Sequence, residues 1–171
     1  MCYNSSMKIT RTLQVTECAF YDYLENEIIT NIDSCANKEI TTNDIMKGLC
    51  YTKQGDNVYS RVEVTILEYE RGKLYKAKIH SMADTIILSY ETSVVEKGLQ
   101  IIFHQYIESF ENKKQNRFLR LFSEGVYYGR MSDTLYDIQK KILNHHAGIA
   151  EVEQTPISTH KHLKKLIAKK S

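Results

Sequence analysis

Histidine is the residue type that most often signals chemistry, and this chain gathers four of its six near one end. His145 and His146 are adjacent, and His160 and His162 are two apart. Either pair could ligate a transition metal. A stable site needs further donors, and no carboxylate or cysteine stands at helix spacing to supply them. Histidines near a helix C-terminus also interact favourably with the helix dipole, so a solvated helix end is the expectation and no metal is assigned. Glu91 and His104 fall on neighbouring predicted strands and could form an acid–base pair. A cross-strand surface pair is the commoner outcome of that arrangement. No GxSxG, HExxH, glycine-rich phosphate loop or Cys–His spacing occurs, so no catalytic residue and no cofactor is assigned. The four cysteines, Cys2, Cys18, Cys35 and Cys50, form no CxxC pair and fit no zinc spacing. They are expected to be free, buried thiols.

What remains are polar points on apolar faces. In residues 99–107 the odd positions Leu99, Ile101, Phe103 and Ile107 form the more apolar face, with Gln105 among them. In residues 85–95 the even positions Ile86, Leu88, Tyr90 and Val94 do the same. If these faces turn inward, Tyr90, Phe103, Gln105, Tyr127, Tyr128 and Arg11 are the candidate ligand-binding residues. They would offer a few hydrogen bonds to a mostly apolar ligand. The plainer alternative is that they only fill a core, with tyrosine hydroxyls reaching its rim.

The elements that must position them follow from hydrophobic periodicity. Residues 8–15 alternate as a strand. Thr16 is the expected N-cap of a helix over 17–32, in which Phe20, Leu24 and Ile28 recur every fourth residue. Thr41 and Asp44 stand as in a capping box, and Gly48 can end a short second helix. Strands are expected at 49–53, 58–69, 74–81, 85–95 and 99–111. Turns are expected at GDN (55–57), ERGK (70–73), MAD (82–84), EKG (96–98) and NKKQN (112–116). Links this short make neighbouring strands antiparallel. A long helix is expected over about 117–145. Its apolar residues run from Phe118, Leu121 and Phe122 to Tyr128, Met131, Leu135, Ile138 and Ile142. The centre of that face moves by more than ~100° along the helix. Gly125 and Gly129 sit where it moves, which predicts a bend or a very close helix–sheet contact.

The balance of charge excludes some functions. The chain has 171 residues, 23 basic and 21 acidic side chains, and one proline. That fits one globular domain and argues against a dedicated nucleic-acid binder. The twelve tyrosines are scattered along the chain, unlike a base-stacking surface. No signal segment opens the chain and no apolar run is long enough to span a bilayer, so a cytoplasmic protein is expected. Domain limits of 7–146 follow, with a basic extension at 147–171 that carries five lysines against two glutamates. If helical, that extension could pack Leu163, Leu166 and Ile167 on the body, bind a partner such as a second copy in a homodimer, or touch an anionic surface.

One strand, two helices, a run of antiparallel strands and a long terminal helix resembles the START-like, or SRPBCC, helix-grip fold. This is an α+β fold of six or seven strands curled around the last helix. Residues 7–24, 40–53 and 62–81, with the phrases KGxxYTK (47–53) and ExxxGKxYxAK (68–78), resemble a Gram-positive bacterial family. That family is catalogued as a domain of unknown function and grouped with START-like proteins. The resemblance implies no reaction. Its genes often neighbour sugar-uptake systems, which implies a role near carbohydrate metabolism. The expected function is non-enzymatic binding of a small apolar or amphipathic ligand between sheet and long helix. The alternatives are an interaction module without a ligand and a cyclase- or hydrolase-like enzyme.

Overall fold

The alternation at residues 8–15 does produce a strand, and it lies at one edge of a six-stranded antiparallel sheet. The computed structural model describes residues 6–36, 40–54, 61–82, 84–109 and 117–153. Strand β1 is Ser6–Leu13 and helix α1 is Glu17–Ala36. Strands β2 to β6 are Cys50–Gln54, Arg61–Glu70, Leu74–His80, Thr85–Val95 and Gly98–Ile107. A long helix α2, Arg117–Glu153, follows. The sheet order is β1-β6-β5-β4-β3-β2, so the first strand pairs with the last, and α1 and α2 pack against the sheet.

Local chemistry starts α1 as expected. Thr16 Oγ1 accepts the Ala19 N–H at 3.2 Å, satisfying a donor that the first helical turn leaves free. Phe20, Leu24, Ile28 and Ile32 are buried along one side. The short helix expected over 41–48 is only a 3-10 turn, Thr42–Asp44. The Thr41 N–H donates to Asp44 Oδ2 at 2.8 Å, so the capping pair is present. The chain then leaves the helix because sheet pairing claims it. Gly48, at φ +93°, donates its N–H to the Ile66 carbonyl at 2.8 Å, and Ile66 returns a bond to Leu49.

The inward faces of β5 and β6 are those the alternation indicated. Leu99, Ile101, Phe103, Ile107 and Tyr90 are buried, and Ile86 and Leu88 pack on the core. Val94 is the exception at 69% exposed. The pairing of β5 with β4 stops at Glu91, so Val94 lies on an overhang with no strand beside it on that edge. Strand β3 holds a bulge at Leu67, between Ile66 opposite Ala77 and Glu68 opposite Lys76. The extra residue reverses the phase of the strand. Val62, Val64 and Ile66 point inward before it and Tyr69 after it.

Helix α2 runs eight residues past the expected end, through the boundary set at 146, because 147–153 contains only one glycine and no proline. Met131, Leu135, Ile138 and Ile142 form its buried stripe. Four residues before Met131 stands Tyr127, which packs on the core, whereas Tyr128 is 40% exposed. Gly125 and Gly129 do not mark a close contact. Both are exposed, and a Cβ on either would meet nothing within 4 Å. The helix is tied to β1 elsewhere. Arg11 Nε donates to Ser132 Oγ at 3.1 Å, and the Gln14 N–H donates to Gln139 Oε1 at 2.7 Å.

Cys18 and Cys50 are free but exposed, against the expectation of burial. Cys50 stands on the outer face of the edge strand β2, beside Glu63 and Thr65. The expected turns at 55–57 and 112–116, the start of β3 at 58–60, residues 1–5 and 154–171, and the side chains of Phe118, Leu121 and Phe122 lie outside the described residues.

Candidate functional site

Six tyrosines converge where α1 lies on the sheet: Tyr21 and Tyr23 from α1, Tyr51 from β2, Tyr69 from β3, Tyr75 from β4 and Tyr90 from β5. The rings of Tyr75 and Tyr90 stack at 6.1 Å and 17°. Tyr90 also meets Phe103 at 4.8 Å and the edge of Phe20 at 5.9 Å. Such contacts add to the stabilisation from area buried.

The hydroxyls of five of the six have partners. Tyr21 shares a bond with Thr92 Oγ1 at 2.9 Å. Tyr69 donates to Glu25 Oε1, and Glu25 Oε2 accepts from Arg71. Arg71 also reaches Asp22 at 2.5 Å, so this cluster ties α1 to the β3–β4 turn. Tyr23 accepts from Lys141 Nζ on α2 at 3.3 Å. The Tyr51 and Tyr75 hydroxyls share a bond. Tyr90 alone has no hydrogen-bond partner among the described residues. No enclosed side-chain oxygen among those residues lacks a partner, so the Tyr90 hydroxyl must open on free space.

That space is a cavity of about 340 Å³ between α1, the inner sheet face and α2. Tyr75, Tyr90, Val64, Ile79 and Leu88 line it from the sheet; Leu24, Ile28 and Ile138 line it from the helices. Its polar lining is Glu27 and Asn31 on α1, Lys53 on β2, and Thr134, Asp137 and Lys141 on α2. A cleft of about 500 Å³ shares Tyr23 and Glu27 with it and is lined by Asp22, Asn26, Thr30, Thr42, Ile142 and His145 among others. Burial raises the Tyr75 and Tyr90 hydroxyls well above the ordinary phenol range, and pushes Tyr51 up to about 12. At neutral pH these groups keep their protons. They can donate hydrogen bonds, and none of them is a base.

Of the six candidate ligand-binding residues, Tyr90 alone lines this cavity. Phe103 is buried behind it. Gln105 is half-buried opposite Leu88, Tyr127 sits under Arg130 at 5.8 Å, and Tyr128 faces solvent. Arg11 is held at Ser132. Glu91 and His104 meet at 3.5 Å as a partly exposed pair on the outer sheet face. Sequence reading missed the α1 side, Tyr23, Glu27 and Asn31, and the β2 residues Tyr51 and Lys53. Only the inward alternation of Tyr75, Ala77 and Ile79 could have pointed there. His146, His160 and His162 lie outside the described side chains, and no metal-holding group of three His, Cys, Asp or Glu occurs among those described.

A family described as a domain of unknown function (DUF3284) matches residues 7–129, well over half of the chain. The chain belongs to the DUF3284 family. The match includes α1 and every strand that lines the cavity, and ends before Thr134, Asp137, Ile138 and Lys141 of α2. No curated protein matches the chain. Solved structures share its fold at low identity. Protein NE0264 from Nitrosomonas europaea has a TM-score of 0.56 at 11% identity, over 86% of this chain and 99% of its own. SA2116, a protein of unknown function from Staphylococcus aureus, has 0.55 at 14%, over 84% and 95%. Ara h 8.0201 has 0.55 at 10%, over 81% and 97%. This DUF3284 chain therefore has the START-like helix-grip fold. No helix among its described residues is long and apolar enough to cross a membrane.

Proposed function

We propose that this DUF3284 protein binds a small amphipathic molecule between α1, the sheet and α2, and performs no reaction on it. One observation carries the reading: a cavity of about 340 Å³ with a mixed apolar and polar lining that includes the buried Tyr90. That size and lining suit a small organic ligand. The tyrosines supply orientation without acid–base chemistry. A cytoplasmic location and a Gram-positive source belong to the same proposal.

Native mass spectrometry of the protein from its own host tests it. The wild type is expected to carry a small molecule. Leu88→Trp, which places a large ring in the cavity, is expected to lose that molecule and the fluorescence of added anilinonaphthalene sulfonate. A folded Leu88→Trp variant that binds as the wild type does would refute the cavity as the site.

A second reading has one observation in its favour. Val126, Tyr128, Tyr136 and Leu143 are exposed on α2, which suits an interaction surface. A protein partner retained by Leu88→Trp would support it.

A further inference from the structure

On its sheet side the cavity joins two polar groups of different kinds, Tyr90 and Lys53, with Val64, Ile79 and Leu88 among the apolar residues there; Glu27, Asn31, Thr134, Asp137 and Lys141 add polar groups from the helices. At one end is Tyr90, a residue only 6% exposed, whose hydroxyl is the one in the tyrosine cluster without a partner among the described residues. On the far side is Lys53, exposed on the edge strand β2, where it stands opposite Val62 on the inward face. The second lining cation, Lys141, is already engaged. Its ammonium donates to the Tyr23 hydroxyl, sits 5.9 Å from the Tyr23 ring and feels Glu27 and Asp137. Lys53 has no carboxylate partner among the described residues.

Tyr90 and Lys53 are also well separated. Lys53 pairs with Val62, whereas Tyr90 pairs with Tyr75 and Phe103, three strands away. Strands are spaced about 4.8 Å apart. A ligand that meets both must therefore be elongate. Val64, Ile79, Leu88, Ile28 and Ile138 would contact its middle.

We infer that the cavity takes an elongate amphipath with an anionic group at the Lys53 end and an uncharged hydrogen-bond acceptor at the Tyr90 end. This inference rests on the cavity being a binding site, and it adds the chemical class of the ligand. Lys53 supplies the charge that selects an anion over a neutral head. Tyr90 donates to the far acceptor, and an unbranched apolar body joins the two.

Three matched probes separate the parts: laurate, lauryl alcohol and ω-hydroxylaurate, each titrated into the full-length protein below its aggregation limit. ω-Hydroxylaurate is expected to bind most tightly. Tyr90→Phe should weaken ω-hydroxylaurate about five- to tenfold and leave laurate unchanged, since only one hydrogen bond is removed. Lys53→Met should weaken both acids about tenfold and leave lauryl alcohol unchanged. Circular dichroism checks that each variant is folded. Equal affinities for the three probes, unmoved by either substitution but abolished by Leu88→Trp, would overturn the ligand class and keep the cavity as a site. Binding indifferent to Leu88→Trp, or no binding of any probe or of anilinonaphthalene sulfonate, would overturn both.

Discussion

Glu25 on α1 and Arg71 at the β3–β4 turn form an ion pair in which only one partner is buried. The Glu25 side chain is 5% exposed and that of Arg71 is 42%. Tyr69 donates to the same carboxylate, so the pair and the phenol together hold α1 over the sheet edge. The asymmetry sets the effect of breaking it. Arg71→Met strands a buried carboxylate and should cost about 2–3 kcal/mol, discounted for the exposure of Arg71. Adding Glu25→Gln should recover part of that loss, because the stranded group is no longer charged. Urea denaturation of the single and double variants measures this, and a double variant no more stable than Arg71→Met would contradict it.

Glycines with opposite roles make a second prediction. Gly98 has φ +130°, and a Cβ there would lie 2.1 Å from the Leu13 carbonyl oxygen. Gly98→Ala must displace backbone of β1 or β6 and should cost about 2–4 kcal/mol. Gly125→Ala and Gly129→Ala meet nothing within 4 Å. Each should stabilise the helix by roughly 0.5–1 kcal/mol. Thermal melts of the three variants should therefore move in opposite directions.

The tyrosine cluster predicts alkaline instability. Burial raises Tyr51 from 10.0 to about 12, and raises Tyr69, Tyr75 and Tyr90 as well. The unfolded chain loses these protons near pH 10 while the folded chain keeps them. Stability from this source is thus complete below about pH 10 and falls as pH rises towards 12. Phenolate absorbance should appear together with unfolding as pH is raised. A gradual appearance of phenolate from all twelve tyrosines in a still-folded protein would contradict it.

Asp84 joins two segments far apart in sequence. Its Oδ1 accepts the N–H groups of Thr85 at 2.8 Å and Ser109 at 3.0 Å, and its Oδ2 accepts from the Ser109 hydroxyl. Asp84→Ala should cost about 1–2 kcal/mol. Amide exchange at Ser109 should accelerate more than at Ile101 in the middle of β6. Equal acceleration at both would show a global effect instead.

The strand faces were legible because a half-buried strand must alternate, and Leu99, Ile101, Phe103 and Ile107 do so despite the apolar Ile102 and the polar Gln105. The cap at Thr16 was legible because it involves neighbours three residues apart. Period and capping are local, and they carried the order of elements, the antiparallel pairing and the helix-grip architecture. The bulge at Leu67 was invisible, because an extra residue in one strand shows only against its partner. Helix formation over 41–48 failed for a similar reason: Gly48 bonds to Ile66, eighteen residues away.

The site depended still more on distant neighbours. Sequence placed Tyr90 on an inward face, but so did it Phe103, and nothing local distinguishes a ring that packs from a ring that opens on a cavity. That difference arises where α1, β2 and α2 meet, in which hydroxyls find partners. Sequence alone determined which faces turn away from water, since hydrophobic burial follows residue type and period. Tertiary structure alone decided where that burial is incomplete, because a cavity is set by the shapes of surfaces brought together from across the whole chain.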